Sequence, residues 1–427
     1  MTSGGPTGPT ELRRELGFAD AVLIGLGAML GAGVFVAFAP AAQAAGAGLL
    51  PALALAGGVA WCNATSTAAL ASVYPRAGGA YLYGRARLGP VWGFLAGWGF
   101  VIGKTAGCAA MAMTAGSYAW PSHPRPVAIT VACALAGLNC VGIARTALVN
   151  RLLVTVTLGV LGLVVLACLT GGAADSARLH GGGSVGLRGV VQAAGLLFFA
   201  FAGYARVATL GEEVRDPART IPRAVSTALG IVLTVYLAVG LGLLLVLGPH
   251  GIAASAAPLR AAVAAGSWHW AAGLVRLGAV TASCGVLLSS LAGIGRTTLA
   301  MARDGELPRA LAQVHPRYAV PQRAQLVVGA VVVGLVAVTD VRGAIGFSGF
   351  GVLGYYAVAN LAAWTLPAPR RTGGRVIAAA GVFGCLLLAV DLPAGSALAG
   401  LAVFGVGLGV RAIRRAPGGG PAGRRPK

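Results

Sequence analysis

Charge is what this chain has least of. Only 10% of its 427 residues are charged, and 11 of them are Asp or Glu, against about 25% charged residues in an average soluble domain. None of these acids falls midway along a long apolar run, which excludes paired-carboxylate chemistry inside such runs. The five histidines (His123, His180, His250, His269, His315) fall in connections or at run ends. No Ser–His pair or His cluster therefore forms within the apolar runs, and no enzyme is expected. The seven cysteines (Cys62, Cys108, Cys133, Cys140, Cys168, Cys284, Cys385) all lie within apolar runs. They lack metal-ligand spacing and occupy no connection where a disulfide is expected, so they read as small core residues. No metal or other cofactor is expected. Lysine is nearly absent, with only Lys104 and Lys427.

What fills the chain is apolar surface, at 57% of residues. A soluble core does not need that much, so the solvent is lipid. Twelve runs can be placed, near 18–40, 47–73, 90–118, 126–143, 148–170, 189–210, 222–248, 271–299, 324–339, 343–364, 374–391 and 393–413. The net charge of +21 would suggest nucleic acid in a soluble protein, but its placement argues for a membrane. With the N-terminus inside, roughly 25 basic residues sit at cytoplasmic ends or tails. The external ones are Arg125, Arg178, Arg188, Arg260, Arg276 and Arg342. That asymmetry sets an inner-membrane orientation with both termini cytoplasmic, and the basic residues answer anionic lipid rather than a nucleic acid. Arg13 and Arg14 precede a run too long for a signal peptide, which is read as a retained helix.

Residues 1–14 and 414–427 are expected to be disordered tails around one transmembrane domain, 15–413. Within it, 18–170 and 189–364 form two five-span halves of opposite topology, and 374–413 holds two peripheral spans. The fold class expected is an all-α membrane protein with discontinuous first and sixth helices. Two segments carry that expectation. Ile24–Phe35 contains Gly25, Gly27, Gly31 and Gly33, and Leu196–Tyr204 sets Ala202-Gly203 among Phe198, Phe199, Phe201 and Tyr204. Each glycine weakens a helix by about 1 kcal/mol relative to alanine. Opened backbone inside a bilayer survives only where it lines a cavity or is buried in protein. Interruptions at matching places in two halves point to a transporter's substrate site.

Four stretches then resemble the amino acid–polyamine–organocation permeases, which share the leucine-transporter-like fold. They are Gly27–Phe35; Tyr74–Tyr83 with Gly93–Trp98; Gly211–Pro222; and Met301–Pro308 with Val314-His-Pro and Val320-Pro321. The resemblance covers about residues 15–365. It implies alternating access, with the substrate carboxylate on the amides of Ala32 and Gly33 in the Gly31-Ala32-Gly33 segment and its ammonium on carbonyls near Met29. Ala32 stands where some relatives have Ser. Phe199 or Phe201 would cover the substrate as a gate, beside the break at Ala202-Gly203. Some relatives have an acid two positions after this glycine; here it is Ala205, which disfavours a cationic side chain. Proton-coupled relatives have a lysine in the fifth span, where this chain has Thr157.

Lys104 lies midway along the third run, too deep to reach water comfortably, and charged groups at such depth are functional by default. It is expected to be the coupling or charge-compensating group. Sodium coupling would need oxygen ligands from the first and eighth spans, with Thr281 and Ser283 as candidates. Asp216-Pro217 is expected to stop a helix, and Thr220 with Pro222 to start the seventh span. Cytoplasmic acids, Asp304 and Glu306 among them, could pair with Arg85, Arg87, Arg303 or Arg309 to close an inner gate.

The function expected is proton-coupled uptake of an amino acid or similar small zwitterion by a monomer or weak homo-oligomer. Alternatives are an amino acid/organic amine exchanger or, in another class, a membrane channel or sensor.

Overall fold

The structure is a computed structural model that describes residues 16–74, 78–141, 147–179, 186–204, 207, 214–318, 320–367 and 373–415, with backbone alone for 147–151. Residues up to Glu15 and from Ala416, Pro75 to Ala77, His180, Ala205 and the acids Glu212 and Glu213 lie outside the described residues.

The helices, in chain order, are α1 (Phe18–Met29), α2 (Ala32–Val36), α3 (Phe38–Ala45), α4 (Leu49–Val73), α5 (Gly79–Arg87), α6 (Pro90–Ala119), α7 (Pro124–Cys140), α8 (Ala147–Thr170), α9 (Leu187–Phe201), α10 (Pro217–Ala254), α11 (Pro258–Ala264), α12 (Ala272–Arg303), α13 (Gln322–Val338), α14 (Val341–Trp364), α15 (Gly373–Val390) and α16 (Ala394–Arg415). The only β pairing among the described residues is an isolated bridge from Leu16 to Val214, which ties the start of α1 to the segment before α10. Among the described residues, nine stretches are long and apolar enough to cross a membrane, and α7, α9 and α13 are shorter apolar helices. These three occupy the places of the expected fourth, sixth and ninth spans.

Starts follow local chemistry. Proline stands at the first position of α6, α7, α10 and α11, where its missing N–H is an orphan anyway. Asp340 caps α14 by accepting from the Gly343 N–H at 3.0 Å. Asp216-Pro217 departs from expectation. Asp216 has a left-handed φ of 45° at the N-cap position, and Pro217 opens α10, so this dipeptide starts the helix. Thr220 and Pro222 then lie inside its first turns. At the far end Gly248, with φ 66°, kinks α10, which resumes to Ala254.

The centre of the bundle is α6, packed against α14 and α12. Its Gly103 makes this possible, since a Cβ there would stand 3.0 Å from the Ser348 carbonyl oxygen and 3.1 Å from Gly351 Cα. Small residues are what let helices approach so closely in lipid, where no hydrophobic force drives them together. Around this centre α4 packs on α10 and α9, α3 on α9, and α1 on α10. The cysteines all lie on helices, as expected, but are not all core: Cys133 is exposed, and Cys62 and Cys284 are half-buried.

Candidate functional site

The first interruption falls where the glycines predict it. α1 ends at Met29, Leu30 leaves the helical region with ψ 59°, and Gly31, with φ −115° and ψ −145°, precedes α2. The Gly31 N–H closes a tight turn onto the Met29 carbonyl at 2.8 Å. The second falls at the end of α9, where Ala202 and Gly203 leave the helix and the Gly203 N–H donates to the Phe201 carbonyl at 2.7 Å.

The two breaks lie against each other. Gly203 sits directly on the Ala28–Met29 peptide, with no room for a Cβ, and a Cβ at Gly33 would come within 2.5 Å of Ala200 Cα. Tyr236 of α10 spans them, since its hydroxyl lies 2.8 Å from the Met29 carbonyl and 3.2 Å from that of Ala200. With Gly31 and Tyr236 both donating to it, the Met29 carbonyl has both lone-pair directions engaged in this conformation. Gly31 faces Val286 of α12, and Ala32 is buried. Phe201 is fully buried with its ring edge-on to Tyr236 at 5.2 Å. Phe199 is 8% exposed and turns instead toward α6, near Gly107. Tyr118 of α6 donates to the Phe35 carbonyl at 3.0 Å, holding the join of α2 and α3.

Lys104 completes the site. Its ammonium donates to the Ala202 carbonyl at 2.8 Å, and the Tyr356 hydroxyl of α14 approaches the same oxygen at 3.5 Å. The last carbonyls of a helix have no partner within it, and a cation complements the negative end of the helix dipole. The lysine singled out for its depth thus sits at the open end of α9.

The oxygen candidates separate. Thr281 is exposed and its hydroxyl donates within its own helix, to Leu277 at 2.9 Å; it is not brought to the break. Ser283 is buried, and its hydroxyl has no partner among the described residues. A cavity of about 20 Å³ does touch the first break, between Gly27 of α1, Leu30 just past its end, Thr157 of α8, and Val286 and Ser289 of α12. That is room for one water-sized group. No group of three His, Cys, Asp or Glu side chains able to hold a metal occurs among the described residues.

A second cluster lies at the end of the bundle where α6 begins and α12 ends. Glu306, its side chain fully buried, receives Arg85 at 3.3 Å, Arg411 at 2.9 Å and Arg415 at 2.6 Å. Arg85 also reaches Asp304 at 3.7 Å, and Tyr81 donates to Asp304 at 2.5 Å. Burial first, then the hydrogen bond to Asp304 and its charge, push the Tyr81 hydroxyl above its usual value, so it stays a donor. Of the arginines expected to meet these acids, Arg85 does. Arg411 and Arg415 were not foreseen, nor were Tyr236 and Tyr356; each of the two tyrosines is a hydroxyl in a mainly aliphatic run, the one signal that could have marked them.

Interrupted helices meeting inside a bundle of membrane-length helices define an integral membrane transporter. A family model described as Amino acid permease matches residues 20–368, and the chain belongs to that family. It is 57% identical over 407 residues to an uncharacterized transporter of Mycobacterium tuberculosis, covering 95% of this chain and 92% of that one. It is 29% identical over 347 residues to the branched-chain amino acid permease BcaP of Bacillus subtilis, covering 74% and 72%. With the vacuolar cationic amino acid transporter 4 of Arabidopsis thaliana it shares 30% over 361 residues, covering 78% of this chain and 60% of that one.

Proposed function

We propose that this permease takes up an amino acid, or a similar small zwitterion, across the cytoplasmic membrane by alternating access, coupled to protons through Lys104. The observation that carries the reading is the meeting of the two breaks with the Lys104 ammonium on the Ala202 carbonyl. The substrate carboxylate sits on the amides of Ala32 and Gly33, the first of a helix restarted in mid-membrane. Its ammonium takes carbonyls freed at the breaks, which requires Tyr236 to release Met29 or Ala200. Twelve spans in two inverted five-span halves, with α15 and α16 outside them and both termini cytoplasmic, form the scaffold. The nine long and three shorter apolar helices support that count. Amino acids as substrates are supported by the names of the Bacillus and Arabidopsis relatives.

A lysine can carry a proton between the two sides as each half of the transporter opens, because the ammonium's surroundings change with the movement. Uptake into proteoliposomes with and without an imposed pH gradient tests this. In Lys104→Ala the ratio of gradient-driven accumulation to exchange falls towards one. Lys104→Arg, whose guanidinium does not deprotonate, also loses the response. A Lys104→Ala protein that concentrates substrate as the wild type does removes Lys104 from coupling.

A further inference from the structure

The Lys104 ammonium has three hydrogens to give and one described acceptor, the Ala202 carbonyl. A carbonyl offers a dipole and no opposite charge. Every described Asp and Glu lies in a first helical turn, at a helix end or in a connection, and the acids that pair with arginine do so there. The other described titratable groups around the ammonium are Cys108, one turn along α6, and Tyr356, whose hydroxyl approaches the same Ala202 carbonyl and on whose ring Tyr204 stacks, 4.9 Å between ring centres. A thiol and two phenols supply dipoles, not a counter-ion. The middle of the described bundle therefore holds one cation and no anion.

An uncompensated charge in low dielectric is among the costliest arrangements a protein can hold, and a well-placed, hydrogen-bonded counter-charge offsets much of that cost. The position of Lys104 decides where that counter-charge would come from. The residue after its acceptor, Gly203, packs on the Ala28–Met29 peptide, so the ammonium stands at the junction of both breaks. A neutral side chain bound there leaves the ammonium unpaired, and a cationic one is repelled. A carboxylate would complete it with charge-assisted hydrogen bonds.

Resting on the amino acid reading above, we propose that the substrate class is the acidic amino acids. Their second carboxylate pairs with Lys104 while the backbone carboxylate and ammonium occupy the first break. The anion and the lysine's proton stabilise one another, and such coupling is reciprocal, so substrate and proton travel together.

The test is ligand-induced thermal stabilisation of the purified full-length protein, titrated with L-aspartate, L-glutamate, L-leucine and L-arginine. Aspartate or glutamate should act at concentrations at least about tenfold below leucine, the weight of one charge-assisted hydrogen bond, and arginine least of all. In Lys104→Met, similar in length and uncharged, the glutamate-to-leucine preference should collapse, and in Lys104→Arg it should persist. Wild-type preference for leucine or arginine overturns the proposal while leaving an amino acid site in place, and so does a Lys104→Met protein that still prefers the acids. If the methionine variant does not fold, Lys104→Gln makes the same comparison, and the wild-type order decides by itself. Failure of every amino acid to stabilise the wild type sinks the amino acid reading as well, a separate outcome.

Discussion

Tyr236 does at one atom what the two glycine-bearing breaks do with backbone: it holds the first interruption to the second. Tyr236→Phe keeps the ring against Phe201 and removes only the hydroxyl between the Met29 and Ala200 carbonyls. The net loss should be about 1 kcal/mol, because Met29 retains the Gly31 amide. Thermal unfolding in detergent measures it, and a variant as stable as the wild type would mean that the hydroxyl carries no load. Gly33 is a different case. A side chain there meets the Ala200 backbone before it can obstruct the Ala32 or Gly33 amides, so Gly33→Val should lower both folded yield and substrate binding. The breaks were legible because glycine and aromatics interrupt an aliphatic run. Tyr236 was not, because nothing in a sequence says which carbonyls a hydroxyl will reach across a bundle. Thr281 misled for a related reason. A helix that is apolar all round carries no moment to mark its inner face, and the cavity beside the first break is lined instead by Thr157 and Ser289.

At the scale of elements, run lengths and prolines located the helices, while sequence order alone hid how closely they approach. The α6–α14 contact is set by backbone against backbone at Gly103 and Gly351. Gly103→Val should destabilise by about 3 kcal/mol or more, through overpacking that neither helix can relieve without moving. Gly137 of α7 has open space where a Cβ would go, so Gly137→Val should change stability by no more than about 1 kcal/mol. The comparison uses the temperature at which half of each protein remains monodisperse after heating. Equal shifts would show that valine, rather than the contact, is responsible. Because Lys104 is one residue beyond Gly103, moving α6 should also draw its ammonium from the Ala202 carbonyl, coupling packing to the site. The misread start of α10 has a local cause: a Pro after Asp ends one helix as readily as it begins the next, and only the left-handed φ at Asp216 decides.

Across the whole molecule, the orientation and the lock at the Glu306 end make linked predictions. In a background without native thiols, cysteines at Ser176 and Ser255 should react with an impermeant reagent in whole cells, and those at Thr220 and Gly305 should not; the reverse labelling would invert the topology. The Glu306 cluster then lies on the cytoplasmic side. There the loop after α12 is joined to α5 through Arg85, and to α16 through Arg411 and Arg415. Trp98 of α6 donates to the Val403 carbonyl of α16 at 3.0 Å, and Arg411 lies over the Phe94 ring at 5.5 Å. A helix expected to be peripheral is thus fastened to α6 and to the loop after α12. Glu306→Gln leaves three guanidiniums around a neutral amide, so their mutual repulsion, formerly screened by one carboxylate, should push this end apart. Arg411→Ala with Arg415→Ala should free the same loop from α16 alone while leaving Arg85 on Glu306. Both should raise the rate at which a cysteine at Gly305 is modified in inside-out vesicles. If the double arginine variant matched the wild type while Glu306→Gln did not, the lock would run through α5 only and α16 would be a passive flank.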